Sequence, residues 1–237
     1  MLTKIVGGST SFGLNTPESD IDYRGVFVNT EPSKILGLDK LEHFVKQDTD
    51  DTVFYEVRKF FELLKNGNTG AIEILFTEDQ VERTDIFDEI RAERLKFVDT
   101  DRLYKCLLGY MQSERRIANG ERVGVLGSKR KAQLDKFGFS PKNFVQLFRL
   151  AYCGEQLFLN GTFPVNLKKD APVDFWQWLM NVKTHPEVHT KEELNLATDR
   201  LEGVLKEAYT NRKFQYTFND DLANEMLRRA YLPYLTK

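Results

Sequence analysis

Gly7-Gly8-Ser9-Thr10-Ser11-Phe12-Gly13, followed after a polar loop by Ser19-Asp20-Ile21-Asp22-Tyr23-Arg24-Gly25-Val26, is the stretch that decides how the rest of the chain is read. Ile5-Val6 before the glycines reads as the end of a strand, and a Gly-Gly-Ser turn after it can aim bare backbone amides at an anion. Asp20 and Asp22 stand two apart in an apolar, β-prone segment, where period-two alternation sends both side chains to one face. Two hard oxygen donors so placed suit a divalent cation that substrate phosphates also hold, as magnesium usually is. The substrate this implies is a nucleoside triphosphate.

Outward from this stretch, residues 2–6 and 21–28 read as strands, and residues 51–55 add a third after the polar run Gln47-Asp48-Thr49-Asp50. Val57, Phe60, Phe61 and Leu64 follow helical spacing until Asn66-Gly67-Asn68 stops it. From there the pattern is mostly helical, with segments near 84–97, 101–118, 141–160, 172–183, 190–209 and 219–232. Thr100 is expected to cap the helix that follows it. Strands first and helices afterwards predict an α+β arrangement with a break near residue 98.

Within 141–160, Lys142, Gln146, Arg149 and Cys153 fall at i, i+4, i+7 and i+11, a polar stripe on an otherwise apolar helix. The stripe is expected to look into a cleft, where Lys142 and Arg149 meet phosphate. His185 and His189 stand four apart, but Pro186 between them reads as loop and argues against a metal pair.

Apolar residues make up 41% and charged residues 30%, the balance of a folded globular chain and not of a disordered one. A net charge of -2 excludes a protein wrapped over its whole surface by nucleic acid, so such a partner needs a local basic patch. Cys106 and Cys153 form neither a disulfide framework nor a zinc knuckle. Neither a signal peptide nor a membrane span is legible, which makes cytoplasm the expected compartment.

Gly8, Ser9, Asp20 and Asp22 match a Gly-Ser, loop, Asp-x-Asp signature, and by it the chain resembles nucleotidyltransferases of the DNA polymerase beta superfamily. The likeness runs on through Asp51-Thr52-Val53-Phe54-Tyr55-Glu56-Val57-Arg58-Lys59-Phe60, Asn66-Gly67-Asn68 and Ala71-Ile72-Glu73-Ile74-Leu75-Phe76. That block is similar to a branch associated with RNA repair or carried by bacteriophages, and by it residues 71–76 are expected to be helical. A third block, Gly127-Ser128-Lys129-Arg130-Lys131 with Phe137-Gly138-Phe139-Ser140-Pro141-Lys142 and Gln146-Leu147-Phe148-Arg149-Leu150, is similar to the branch's helical half.

The resemblance implies a small mixed-sheet nucleotidyltransferase catalytic domain over 1–98 and a helical domain over 99–237 that completes the nucleotide and substrate cleft. It implies a magnesium-dependent reaction, with manganese as a substitute. An acceptor hydroxyl attacks the α-phosphate of a nucleoside triphosphate and pyrophosphate leaves. Asp20 and Asp22 hold the metal with a third carboxylate, for which Asp51 is preferred over Glu56 because Glu56 sits where a helix begins. Gly8, Ser9, Lys129, Arg130, Lys142 and Arg149 hold the triphosphate, whereas Arg24, Arg58 and Lys59 lie near the motifs but outside this set. The acceptor is an RNA end, a small molecule or a protein side chain, in the cytoplasm of a bacterial or phage-infected cell. The rival reading is a noncatalytic nucleotide- or RNA-binding module of an RNA-processing complex.

Overall fold

The computed structural model describes residues 1–37, 39, 42–47, 52–121 and 128–235. The chain begins with β1 (Thr3–Gly7), a single helical turn α1 (Gly8–Ser11), β2 (Asp22–Phe27), α2 (Pro32–Leu36), β3 (Phe44–Gln47) and β4 (Thr52–Glu56). Helices α3 (Val57–Lys65) and α4 (Thr69–Phe76), the strand β5 (Gln80–Arg83) and α5 (Asp85–Ala92) follow. Five strands form one mixed sheet in the order β3-β4-β2-β1-β5, with β2 and β4 parallel and the other pairs antiparallel. The fold is α+β, as expected, with two strands that the sequence pattern did not announce.

Both unannounced strands lie at the sheet's edges. Gln80 is half-buried and Val81, Glu82 and Arg83 are exposed, so β5 carries no apolar alternation. Its pairing comes from the backbone of β1, with Thr3 opposite Arg83 and Lys4 opposite Glu82. The expected helix over 84–97 is divided into α5 and a 3-10 turn at Arg94–Phe97.

Helix α3 starts at its predicted place for a capping reason. The Glu56 carboxylate accepts from the Arg58 N–H at 2.8 Å, and Val57, Phe60, Phe61 and Leu64 are buried on one face. Gly67, at φ +71, ends the stop signal where a Cβ would lie 2.7 Å from the Leu103 backbone nitrogen. Asn68 then caps α4 by accepting from the Ala71 N–H at 3.0 Å. Every residue of α4 except Gly70 is buried, so no polar stripe reveals its period, and its helicity bears out the expectation drawn from resemblance.

The chain divides into two compact units, residues 1–103 with 216–237, and residues 104–215. In the first, Phe60, Phe61, Phe87, Phe97 and Phe218 form a run of ring contacts at 5.1–6.1 Å. Thr100 ties in the returning segment, its N–H donating to the Tyr216 carbonyl at 3.1 Å and its hydroxyl accepting from the Tyr216 N–H at 2.7 Å. The capping duty expected of Thr100 belongs to Asp99, which accepts from the Arg102 N–H at 2.9 Å as helix α6 (Thr100–Ala118) begins.

The second unit contains most of α6, then α7 (Ser128–Phe137), α8 (Pro141–Asn160), α9 (Leu167–Asp170), α10 (Val173–Thr184) and α11 (Lys191–Thr210). Helix α12 (Asp220–Leu235) returns to the first unit, where Arg229 forms a two-pronged ion pair with Glu89 of α5. Helix α8 runs over the span its sequence predicts, with Pro141 in its first turn and Gly161 in the left-handed region just beyond its end. Phe148 stacks on Trp178 at 4.7 Å, and Gly154 admits Leu107 of α6 and Leu205 of α11, whose Cδ1 atoms lie 2.5 and 2.8 Å from where a Cβ would stand. His185 and His189 flank a 3-10 turn at Pro186–Val188. Among the described residues no helix is long and apolar enough to cross a membrane.

Candidate active site

Two neighbouring backbone elements build the site in the first unit. At the end of the β1–β2 ladder Gly7 pairs with Asp22, and the chain then turns at Gly8 with φ +60. A Cβ on Gly8 would stand 1.8 Å from Asp22 Oδ2, so the bare Cα makes the room in which the carboxylate lies. The turn continues as α1 and folds back, with the Leu14 N–H donating to the Ser9 carbonyl at 2.9 Å. The Gly-Gly-Ser element is thus a left-handed glycine opening one helical turn, beside Asp22.

Strand β2 begins at Asp22, and Asp20 precedes it in an exposed loop. The alternation that was expected to align Asp20 with Asp22 therefore does not reach Asp20. It aligns Asp22 with Arg24 instead. Arg24 crosses Gly7, where a Cβ would be 3.0 Å from its Cγ, and its Nη1 donates to Glu73 Oε2 of α4 at 2.7 Å. The Glu73 side chain is 5% exposed and that of Arg24 29%, so the pair joins a buried carboxylate to a guanidinium that still reaches solvent. At Gly70 an added Cβ would come within 3.6 Å of Arg24 Nη1 and 3.9 Å of the Tyr55 hydroxyl. Sequence reasoning left Arg24 aside; the glycines at 7 and 70 gain meaning only from the pairing of β1 with β2 and the seating of α4.

Of the two candidates for a third carboxylate, Asp51 lies outside the described residues. Glu56 is fully buried, and both of its oxygens are engaged, Oε2 by the Arg58 N–H and Oε1 by the Tyr231 hydroxyl at 2.6 Å. Burial, and then this hydrogen bond, push the Tyr231 hydroxyl well above its ordinary pKa. Glu56 thus caps a helix and anchors α12.

The expected phosphate-binding bases lie in the second unit. Lys142 is exposed at the start of α8, whereas Arg149 is wholly buried, with Nε donating to Gln146 Oε1 at 3.1 Å. Cys153 is buried too, its thiol donating to the Pro164 carbonyl. The polar stripe on α8 therefore enters the core of its unit beyond the first turn. Lys129 and Arg130 fall in the first turn of α7, and their side chains lie outside the described residues.

The donor chemistry fits a divalent cation. Asp20 and Asp22 supply hard oxygens, and the Gly8 cradle leaves Asp22 its space. Ser11 Oγ and Thr52 Oγ1, at the end of α1 and the start of β4, are buried hydroxyls with no hydrogen-bond partner among the described residues. Among the described residues no three His, Cys, Asp or Glu side chains are grouped to hold a metal by themselves. A magnesium site that substrate phosphates complete does not require three.

A family model described as RlaP, RNA repair pathway DNA polymerase beta family, matches residues 1–228. The chain is also 29% identical over 142 residues to a protein of Enterobacteria phage T4 described as an uncharacterized 38.9 kDa protein in the nrdC-mobD intergenic region. That match covers 54% of this chain and 40% of the relative, so the chain spans well under half of the relative's length. No solved structure matches. The family match takes in the strand-turn-strand element, the sheet and the helices after it, and the chain belongs to the RNA repair pathway DNA polymerase beta family.

Proposed function

We propose that this protein is a magnesium-dependent nucleotidyltransferase that moves a nucleoside monophosphate from a nucleoside triphosphate to an acceptor hydroxyl, with an RNA end as the favoured acceptor. The observation that carries this reading is the left-handed Gly8 set against the Asp22 carboxylate, which joins the Gly-Ser turn and the second aspartate of the Asp-x-Asp motif in one small space. Membership of a polymerase beta family of RNA repair supports both the reaction class and the acceptor.

In this reading the acceptor oxygen bonds to the α-phosphorus and the bond from phosphorus to the bridging oxygen breaks. Pyrophosphate leaves with that electron pair, and the hydroxyl proton passes to solvent. Asp20 and Asp22 would hold a magnesium or manganese ion, with Asp51 as the third carboxylate the sequence offers, and the ion would supply positive charge against the polyphosphate and a lowered pKa for the acceptor hydroxyl. Ser9 offers its hydroxyl and amide to the phosphates. Arg24, kept in place by Glu73, supplies N–H donors on the strand face that carries Asp22, which favours charge building up on the leaving group.

The test is incubation with each labelled triphosphate, magnesium and an RNA pool, scored for pyrophosphate and labelled product. Transfer is expected with the natural chain and lost in the Asp20→Ala, Asp22→Ala double variant with its fold intact by circular dichroism. Equal transfer by that variant refutes the assignment.

A further inference from the structure

Helices α6 and α11 border, within the second unit, an open groove of about 510 Å³ with an unusual wall. Where two packed helices ordinarily face each other with apolar side chains, these present polar stripes. Gln112, Arg115 and Arg116 come from α6, Asn119 and Glu121 from the segment just after it, and Lys191, Asn195 and Glu202 from α11. Its size suits a ligand of nucleotide dimensions.

Most of the wall is already committed to itself. The amides of Asn119 and Asn195 exchange reciprocal hydrogen bonds at 3.0 and 2.9 Å. Arg115 donates to Asn195 at 2.9 Å and pairs with Asp199 at 2.6 Å, and Lys191 Nζ donates to the Asn119 carbonyl at 3.0 Å. These bonds hold the floor rigid and cancel the charge of Arg115.

Two groups are not committed. Glu202 Oε1 is buried without a hydrogen-bond partner among the described residues, and desolvation pushes the Glu202 carboxyl above its ordinary pKa. A buried acceptor left unmade is costly, so the groove holds an oxygen in need of a donor. Arg116, also in the wall, makes no side-chain hydrogen bond or ion pair among the described residues, and Lys191 keeps N–H groups beyond the one it spends. A matching ligand offers hydroxyl donors to Glu202 and an anionic group to Arg116 and Lys191. Among the described residues no aromatic or aliphatic side chain lines the wall, so it offers a nucleobase no apolar platform.

The geometry points to a site for the ribose-phosphate unit of a ribonucleotide, with the sugar hydroxyls on Glu202, the phosphate on Arg116 and Lys191, and the base unread. The inference deepens the proposed function by placing recognition of the ribose-bearing substrate away from Asp20 and Asp22 in the sequence. The ligand is either a stretch of RNA strand or a free ribonucleotide, and the 2′-hydroxyl is the feature by which Glu202 tells either from its deoxy counterpart.

The experiment measures binding of the full chain carrying Asp20→Ala and Asp22→Ala, so that its result does not depend on transfer. The probes are a labelled 12-nucleotide RNA, DNA of the same sequence, and free ribose 5-phosphate as competitor, followed by fluorescence anisotropy across a salt series. Expected are a preference of about tenfold for RNA over DNA, its loss in Glu202→Ala, and a partial loss in the isosteric Glu202→Gln should the alanine variant fold poorly. Arg116→Ala is expected to weaken both strands alike and to lower the salt slope by about one. Competition by ribose 5-phosphate identifies the free nucleotide as the ligand source, and its absence identifies the strand. Equal binding of RNA and DNA by the natural Glu202 chain, or an unchanged preference in both Glu202 variants, overturns the inference. It does so without touching the transfer assay, which tests the Asp20 and Asp22 reading alone.

Discussion

Gly8→Ala is the sharpest perturbation the structure offers. Gly8 sits at φ +60, which costs an L-residue roughly 1–2 kcal/mol. The new Cβ would also stand 1.8 Å from Asp22 Oδ2, so the carboxylate must retreat by more than an ångström before contact is tolerable. Stiffening of the unfolded chain by alanine returns about 0.4–1 kcal/mol. The backbone strain and the displaced side chain together leave a net loss of about 1–2 kcal/mol, or a fall in Tm of about 2–8 °C for a chain of this size. Asp22→Ala removes the obstacle, because the next atom, Asp22 Cβ, lies at 3.3 Å. A double-mutant cycle by thermal unfolding should therefore show a coupling of about 1 kcal/mol, with Gly8→Ala costing less in the Asp22→Ala background. Under the proposed function, transfer should fall about a hundredfold or more in Gly8→Ala, since the carboxylate assigned to the metal is moved. An equal cost of Gly8→Ala in both backgrounds would refute the placement of Asp22 against the turn.

Tyr231→Phe leaves Glu56 Oε1 buried without its donor and should cost about 1–3 kcal/mol in denaturant unfolding. Because the folded pKa of Tyr231 lies above the unfolded value, its contribution is full below about pH 10 and is lost as pH rises beyond it. The phenylalanine variant should lack that alkaline component of the stability profile. Arg24→Ala takes the guanidinium away from the buried Glu73 carboxylate and should cost about 2 kcal/mol, and adding Glu73→Gln should recover part of the Tm; no recovery would mean that the pair is not the source of the loss. On α8, Lys142→Ala should stay within about 0.5 kcal/mol of the natural chain, whereas Arg149→Ala should cost roughly 2–5 kcal/mol. Equal Tm values for the two would show that Arg149 is not a core residue.

Helix α8 was legible because every local signal agreed: a proline in the first turn, a wide apolar face and a glycine after the end. Helix α4 offered no such agreement, being buried on all sides, and only resemblance identified it. Strand β5 was silent for the opposite reason, since an exposed edge strand needs no apolar alternation when its neighbour supplies the hydrogen bonds. Thr100 was the cap read from the sequence. The choice fell to Asp99 because Tyr216, far along the chain, claims the Thr100 hydroxyl.

By itself the sequence determined the α+β order, the Gly-Ser and Asp-x-Asp motifs and the family they belong to, because these rest on local spacing and residue chemistry. Only tertiary structure decided that Gly8 lies against Asp22, that Arg24 shares that strand face and is latched by Glu73, that Glu56 is an anchor for α12, and that Arg149 is core. Each of those outcomes depends on a strand register or a helix seat set by residues distant in the chain. A motif names the groups available for chemistry; long-range pairing determines which of them are buried, which are spent on one another and which still face a ligand.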